Sequence, residues 1–527
     1  FLCLEAETNR SFRRWRVIKS NIRRIGTRKA VNGSESAPEI MPELSAAAHK
    51  IDIKKLEKAP YDHTGKHPGN KYFSNLLRLM INVGNSIIFR NFDSDKIPPN
   101  NGGRISIATH INGLVDPSLM IITQEKRIIS LGRHDLITGP VIGWWSRRNG
   151  AQPVLRKAEI EAGVSDENFA RKINDRSMLT VANCLAGGHG AVIMPEGKSH
   201  QDSKLHALRT GAARAALVSA AIAKKRGKPA PVIQPTGLHW ERHYWFRTKS
   251  YVEYTDPIDI KLVFDDEQSS RLAAGEWIEP PASAVNELKQ EMYQKLSPMT
   301  PEAPDWETFH AWKLIAHLKA NHDKTPLESL KQEVHFTRRI REEINETAKF
   351  KELIPDAINA AQILESRNLD PNSLDKNNQL KTTNFSAIIT GFIGILLMLT
   401  FSIPVIIGSG IQSILARYMV EMSDEGLDAR TTYFFLAGMF SPVIFWPLIS
   451  LLVILFSEIN IFSLQGLMIF ILTIFGFYIS SLIFLFGYDL WTKYRKTVAV
   501  SKFSTSSAGQ EFNILIEKMN IQLALLK

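Results

Sequence analysis

The chain has 527 residues, of which 44% are hydrophobic, a formal net charge of +11 and two cysteines. Its length exceeds a single domain of roughly 100–200 residues, and Cys3 and Cys184 stand too far apart for a disulfide framework or a zinc-ligand spacing. The basic excess calls for an anionic partner. Nucleic acid is not the expected one, because the basic residues do not alternate with aromatics and no zinc-finger or helix-turn-helix pattern occurs.

Residues 1–60 read as a basic, partly disordered arm. Nine Lys or Arg fall in the first 30 residues against two Glu, and such a run is attracted to anionic lipid. The chain opens on Phe1, so a preceding segment is expected, and no signal peptide is legible within it. Residues 61–282 read as an α/β domain. Residues 74–90 have the pattern of an amphipathic helix with Arg78, Asn82 and Asn85 on one side, suited to lying on a membrane or packing on a domain. From 104 to 260, short apolar strands (105–109, 128–131, 152–155, 191–194, 231–235) alternate with helical stretches, which predicts a sheet flanked by helices. Residues 283–383 read as a charged helical extension, with helices near 327–345 and 357–368, ending in a polar linker over 370–383.

Residues 384–490 read as a membrane region. The stretches 385–409, 431–457 and 461–488 carry no charged residue, and each exceeds the roughly 20 residues a helix needs to cross hydrocarbon. The first holds 14 large apolar residues between 386 and 409, worth about −4 to −8 kcal/mol of insertion free energy. Basic residues precede the first stretch (Lys376, Lys381) and follow the third (Lys493, Arg495, Lys496). The positive-inside bias therefore wants both flanks on one side, whereas three spans put them on opposite sides. Either one stretch is re-entrant or the bias is overridden. Residues 491–527 form a C-terminal tail.

The chemistry concentrates at His110-Ile-Asn-Gly-Leu-Val-Asp116-Pro117. A six-residue offset separates His110 from Asp116 by about 240° on a helix, so the two can meet only across a turn, which Gly113 permits. Asp116-Pro117 reads as an N-cap and a first helical position opening a helix near 117–125. In this geometry Asp116 fixes the tautomer of His110, whose other nitrogen is a base for a substrate hydroxyl. The alternative is a plain helix cap beside a strand-end histidine. A second stretch, Met194-Pro-Glu196-Gly197-Lys198-Ser199-His200, is a strand running into a tight turn that presents Glu196, with Lys198 beside it and Arg209 opening the next helix. Gly150–Arg156 ends another strand on a cation, preceded by Arg147 and Arg148. Ligands of open α/β sheets usually bind at such strand ends, and one base, one carboxylate and several cations suit a phosphorylated alcohol.

These blocks, over about residues 75–240 and in this order, resemble the glycerolipid acyltransferase superfamily of glycerol-3-phosphate and lysophosphatidate acyltransferases. His110…Asp116 looks like its catalytic motif, Gly150–Arg156 its second block, Pro195-Glu196-Gly197 its third and Val232-Ile-Gln-Pro235 its fourth. Five residues separate His110 from Asp116 where most of the superfamily has four. With Pro-Glu-Gly-x-Ser-His and C-terminal spans, this is similar to the fungal-type glycerol-3-phosphate/dihydroxyacetone-phosphate acyltransferase branch. The usual Thr-Arg after Pro-Glu-Gly is replaced here by Lys198-Ser199.

The resemblance implies a membrane-bound O-acyltransferase of phospholipid synthesis with a superfamily-like sheet, a helical extension and transmembrane helices. It implies His110 as general base and Asp116 as its orienting partner. Asn112, Gly113, Arg156, Glu196, Gly197, Lys198 and Ser199 would line the substrate site, Arg156 on the acceptor phosphate and Glu196 on acceptor hydroxyls, with amides near Gly113 or Gly197 for the oxyanion. The implied partners are a glycerol phosphate acceptor, an acyl thioester donor (acyl-CoA or acyl carrier protein as co-substrate) and the bilayer, with the site facing the cytosol and no metal or cofactor. The alternatives are a 1-acylglycerol-3-phosphate acyltransferase, a phospholipid transacylase, or a membrane lipid-binding protein without catalysis.

Overall fold

The computed structural model describes residues 51–163, 165–422 and 427–525, so the basic arm falls outside the described residues up to residue 50. Helix α1 (Lys71–Ile88) starts on Asn70, whose side chain accepts the Tyr72 and Phe73 N–H groups, an N-cap that satisfies two otherwise orphaned donors. Strands β1 (Phe89–Ser94) and β2 (Arg104–Ile107) follow. Then come α2 (Val115–Ile122), β3 (Ile128–Arg133), β4 (Gln152–Val154), α3 (Glu167–Ala186), β5 (Gly190–Ile193), α4 (Gly211–Lys225), β6 (Val232–Trp240), β7 (Thr248–Tyr254) and β8 (Ile258–Asp259).

These strands build one mixed sheet of order β1-β7-β6-β2-β5-β3-β4, with β8 beside β6. The strands β6, β2, β5, β3 and β4 run parallel, and β7 turns back antiparallel on β6. One face is covered by α3 and α4. Helix α4 is built on Ala212, Ala213, Ala215, Ala216, Ala220, Ala221 and Ala223, all buried, and these small side chains let it approach α3 closely. The other face packs on α1 and α2 through Met80, Ile81, Ile88, Val115, Leu119 and Met120. The sheet flanked by helices is the predicted fold class, but β1 and β7 were not anticipated, because the polar faces of Phe89–Ser94 and Thr248–Tyr254 give no continuous apolar run.

The polar stripe of α1 grips the domain. Arg78 donates to the carbonyls of Gln124 and Lys126 at 2.5 and 2.6 Å, and Asn85 Oδ1 accepts the Ser118 hydroxyl at 3.2 Å.

Beyond the sheet come α5 (Ala282–Leu296), α6 (Trp306–His322), α7 (Leu330–Glu346) and α8 (Ile354–Ser366). The apolar helices are α9 (Phe385–Met422), α10 (Leu427–Phe440), α11 (Trp446–Phe456) and α12 (Leu464–Ser504), followed by α13 (Ser507–Ala524). Among the described residues, three helical stretches, Phe385–Glu421, Thr431–Phe456 and Leu464–Ser504, are long and apolar enough to cross a membrane. Residues 370–383 are no free linker, because buried Asp370 pairs with Lys496 at 2.5 Å and Leu374 and Leu380 enter the core. Helix α12 runs unbroken past residue 490 to Ser504. Its end, with α13, shares one apolar core with α6, α7 and α8 through Val500, Phe503, Phe512 and Ile516.

The apolar helices stay close to the soluble part. Thr383 Oγ1 donates to Thr497 O at 3.4 Å, and a Cβ on Gly391 would meet the Tyr494 ring, so the start of α9 lies beside the polar end of α12. Asp489, where α12 turns polar, pairs with Arg247 of the β6–β7 hairpin at 2.5 Å. Helix α10 crosses α1 at Gly84 and Gly438, where any Cβ would press on Phe435 or Ile87 at under 3 Å. Small residues at such a crossing allow helix backbones to close up.

Candidate active site

The register of the sheet sets the site. Ile107 of β2 pairs with Ile193 of β5, so His110 and Glu196, each three residues further on, leave neighbouring parallel strands at the same height. Beyond β2 the chain turns through Gly113 at φ 47°, in the left-handed region that favours glycine, and enters α2. Asp116 lies within the first turn of α2, and no side chain caps that helix. The expected N-cap is thus corrected. Instead of capping forward, the carboxylate reaches back: Oδ2 meets His110 Nδ1 at 2.8 Å and accepts the Ile111 and Asn112 N–H groups at 2.9 Å each.

Asp116 is fully buried, while His110 keeps 22% of its side-chain exposure. A carboxylate at Nδ1 places the imidazole proton there, which makes Nε2 the basic nitrogen. The histidine is therefore oriented by Asp116 and keeps part of its side chain exposed, as a general base requires.

Glu196 braces this loop. Its Oε1 accepts the His110 N–H at 3.2 Å; its Oε2 accepts the His206 N–H at 2.8 Å and lies 2.7 Å from His200 Nε2. Both oxygens are thus held by the protein. His200 also donates its backbone N–H to His110 O at 2.9 Å. The Asp202 N–H reaches His200 Nδ1 at 3.2 Å, which assigns the ring proton to Nε2, facing Glu196. The His200 and His206 rings stack at 3.9 Å, and His206 Nε2 meets Asp202 Oδ2 at 2.8 Å. Glu196, His200 and His206 bring one ligand atom each within 4.8 Å of one another. They are the side chains a divalent cation would use, and binding it would cost His200 one of its present contacts, to Glu196 or to the Asp202 N–H.

The cations divide. Gly197, at φ 73°, sits under Arg209, and a Cβ there would lie 3.2 Å from Arg209 Cγ. Lys198 follows on the same turn; burial first, then the neighbouring His200 and Lys198, hold the His206 imidazole below its usual pKa, and Ser199 is exposed. Arg156 leaves β4, three strands from β2 and so roughly 14 Å along the same edge. Its guanidinium is held by buried Glu159, with Nε to Oε1 at 2.8 Å. A phosphate there would compete with Glu159. Arg147 donates to Ile137 O, and Arg148 stacks 3.6 Å over Trp144. The structure thus gathers His110, Asn112, Gly113, Asp116, Glu196, Gly197, Lys198 and Ser199, and leaves Arg156 apart. The Gly197 N–H is taken by Met194 O at 3.1 Å.

A second layer was not anticipated. Gln201 Nε2 donates to Ile111 O at 2.9 Å, Gln201 Oε1 accepts from His243 Nε2 at 2.9 Å, and Asn112 Nδ2 donates to His243 O at 3.0 Å. Trp306, from the helical extension, donates to Gln201 O at 2.7 Å. No spacing in the sequence marks Gln201 and His243, which join the loop from 90 and 131 positions away.

Burial pushes the His243 imidazole down to about 3 and that of His310 down to about 4, with the Arg242 charge adding to both. Folded pKa values below the unfolded value mean that the unfolded chain takes up protons the folded chain refuses. The stability is present in full above about pH 6.5 and falls as pH drops toward 4, by up to about 1.4 kcal/mol per pH unit for each ring. The melting temperature of the purified protein is expected to fall on acidification through this window. A flat profile would show these rings to be protonated in the folded state.

Residues 90–237 match the family model described as Acyltransferase. A curated relative, the 1-acyl-sn-glycerol-3-phosphate acyltransferase of Streptococcus pneumoniae, is 24% identical over 197 residues, covering 36% of this chain and 65% of that protein. Among solved structures, the 1-acyl-sn-glycerophosphate (LPA) acyltransferase PlsC of Thermotoga maritima aligns over 41% of this chain and 78% of its own, at 15% identity and a TM-score of 0.27. Over residues 90–237 the chain is thus similar to the acyltransferase family.

Proposed function

We propose that this protein is a membrane-bound acyltransferase that moves a fatty acyl group from an acyl thioester to a hydroxyl of a glycerol phosphate acceptor. The observation that carries the reading is the 2.8 Å contact of His110 Nδ1 with buried Asp116, which makes Nε2 a base at the open end of the sheet. His110 Nε2 takes the acceptor hydroxyl proton as that oxygen attacks the thioester carbonyl carbon. The tetrahedral intermediate then collapses, the C–S bond breaks, and the imidazolium returns the proton to the departing thiolate. Asp116 orients the ring and stabilises its charge, and Glu196 holds the loop. Lys198 and Arg209, at the Glu196 turn, are better placed for the acceptor phosphate than Arg156. The donor is the acyl thioester of coenzyme A or of acyl carrier protein.

Glycerol-3-phosphate or dihydroxyacetone phosphate is the first acceptor, on the His-x-Asn-x-x-x-Asp-Pro and Pro-Glu-Gly-x-Ser-His patterns. A 1-acylglycerol-3-phosphate acceptor is the second, favoured by the named activity of the Streptococcus pneumoniae relative. The site faces the cytosol in this reading. The starts of α9 and α10 and the polar end of α12 all touch the soluble part, which supports a first apolar helix, with Pro404 inside it, that returns to the side it left. Purified protein given labelled acyl-CoA or acyl carrier protein and a panel of acceptors tests the function. Acylated glycerol-3-phosphate or dihydroxyacetone phosphate is expected. Product from lysophosphatidate alone would select the second acceptor, and no transfer to any acceptor would remove the catalytic reading.

A further inference from the structure

The loop between His110 and Asp116 is anchored on an apolar helix. Thr431 Oγ1, near the start of α10, donates to Asn112 Oδ1, and Thr432 Oγ1 accepts the Leu114 N–H at 3.1 Å. We propose that Thr431 is a positioning residue for His110, so that the beginning of the second apolar stretch is a structural part of the active site as well as of the anchor. The inference rests on acyl transfer at His110.

Asn112 is the pivot. It is 1% exposed and spends every polar group on the loop geometry. Its backbone N–H goes to Asp116 Oδ2 at 2.9 Å, its side-chain amide to His243 O at 3.0 Å, and its side-chain oxygen takes the Thr431 hydroxyl. The same Asp116 oxygen receives His110 Nδ1. A shift of Asn112 therefore changes the partner that fixes the His110 tautomer. Thr431 is itself buried at 7%, and α10 is pinned against α1 by the Gly84–Gly438 crossing and by Phe435. Losing the hydroxyl strands Asn112 Oδ1 in a buried setting, which costs about 1–3 kcal/mol. The loop can recover that cost by moving Asn112 toward water, away from Asp116.

The test uses the full chain in lipid nanodiscs, with Thr431→Val, which keeps the shape and removes the hydroxyl, and Thr431→Ser, which restores it. Thr431→Val is expected to lower kcat about 5- to 100-fold, the rate equivalent of that lost hydrogen bond, with KM for donor and acceptor nearly unchanged. Thr431→Ser is expected to turn over close to the parent. Hydrogen exchange at residues 110–116 is read in the same samples and needs no activity. It should rise in Thr431→Val alone. A parent without transfer would overturn the functional reading, and the exchange result would still decide the tether. Parental exchange in Thr431→Val, or kcat and melting temperature falling equally in both variants, overturns the proposal.

Discussion

Replacing His110 by alanine is expected to lower acyl transfer by about 10²–10⁴-fold, the range that positioned general bases supply. The loss should fall on kcat, because the ring acts on the proton that moves in the transition state and not on substrate affinity. His110 is the partly exposed member of its pair, so its removal opens no cavity in the core. Secondary structure and membrane retention should match the parent. Initial rates with saturating donor and acceptor, beside circular dichroism of the same preparation, check both halves. Parental kcat in His110→Ala would take the base out of the mechanism.

The second large effect is expected from Glu196→Gln. One Glu196 oxygen receives the His110 N–H, and the other receives the His206 N–H and faces His200 Nε2. A carboxylate accepts on both sides, whereas an amide must turn its NH₂ toward one set of donors. One side thus becomes a donor–donor clash at a residue 2% exposed. Leaving buried donors unmatched costs about 1–3 kcal/mol each, and part of that cost falls on the placement of His110. Turnover should drop by about 10–10²-fold and the melting temperature should fall with it, unlike in His110→Ala. Turnover lost at a parental melting temperature would instead mark Glu196 as a group that touches the acceptor, as the family resemblance implies.

These expectations show how much of the site was legible. Both motifs were, because each lies within eight residues of chain and each ends a short apolar strand. That His110 and Glu196 are neighbours was not. It follows from β2 pairing with β5 across 86 residues, with β3, β4 and α3 lying between them in sequence. The role of Asp116 was legible as a partner of His110 and misread as a helix cap, since Asp-Pro at a helix start satisfies the capping pattern whatever the side chain does. Arg156 was singled out for ending a strand beside other cations, yet its sequence neighbour Glu159 folds back onto it. The pair closes within one helical turn beyond the strand, and the strand end by itself carries no sign of it.

By itself the sequence determined the elements whose cause is local: the alternation of strand and helix, the Gly113 turn, and the three apolar stretches. Each depends on side-chain type and period over fewer than about 30 residues, and hydrophobic burial acts on that period directly. Tertiary structure alone decided which oxygen of Asp116 holds His110, which cations approach Glu196, and that Asn112 leans on Thr431 from 319 residues away. Hydrogen bonds have a range of about 3 Å and a strict direction. Such contacts exist only once strand register and helix crossing have brought distant atoms together, and no spacing along the chain encodes them.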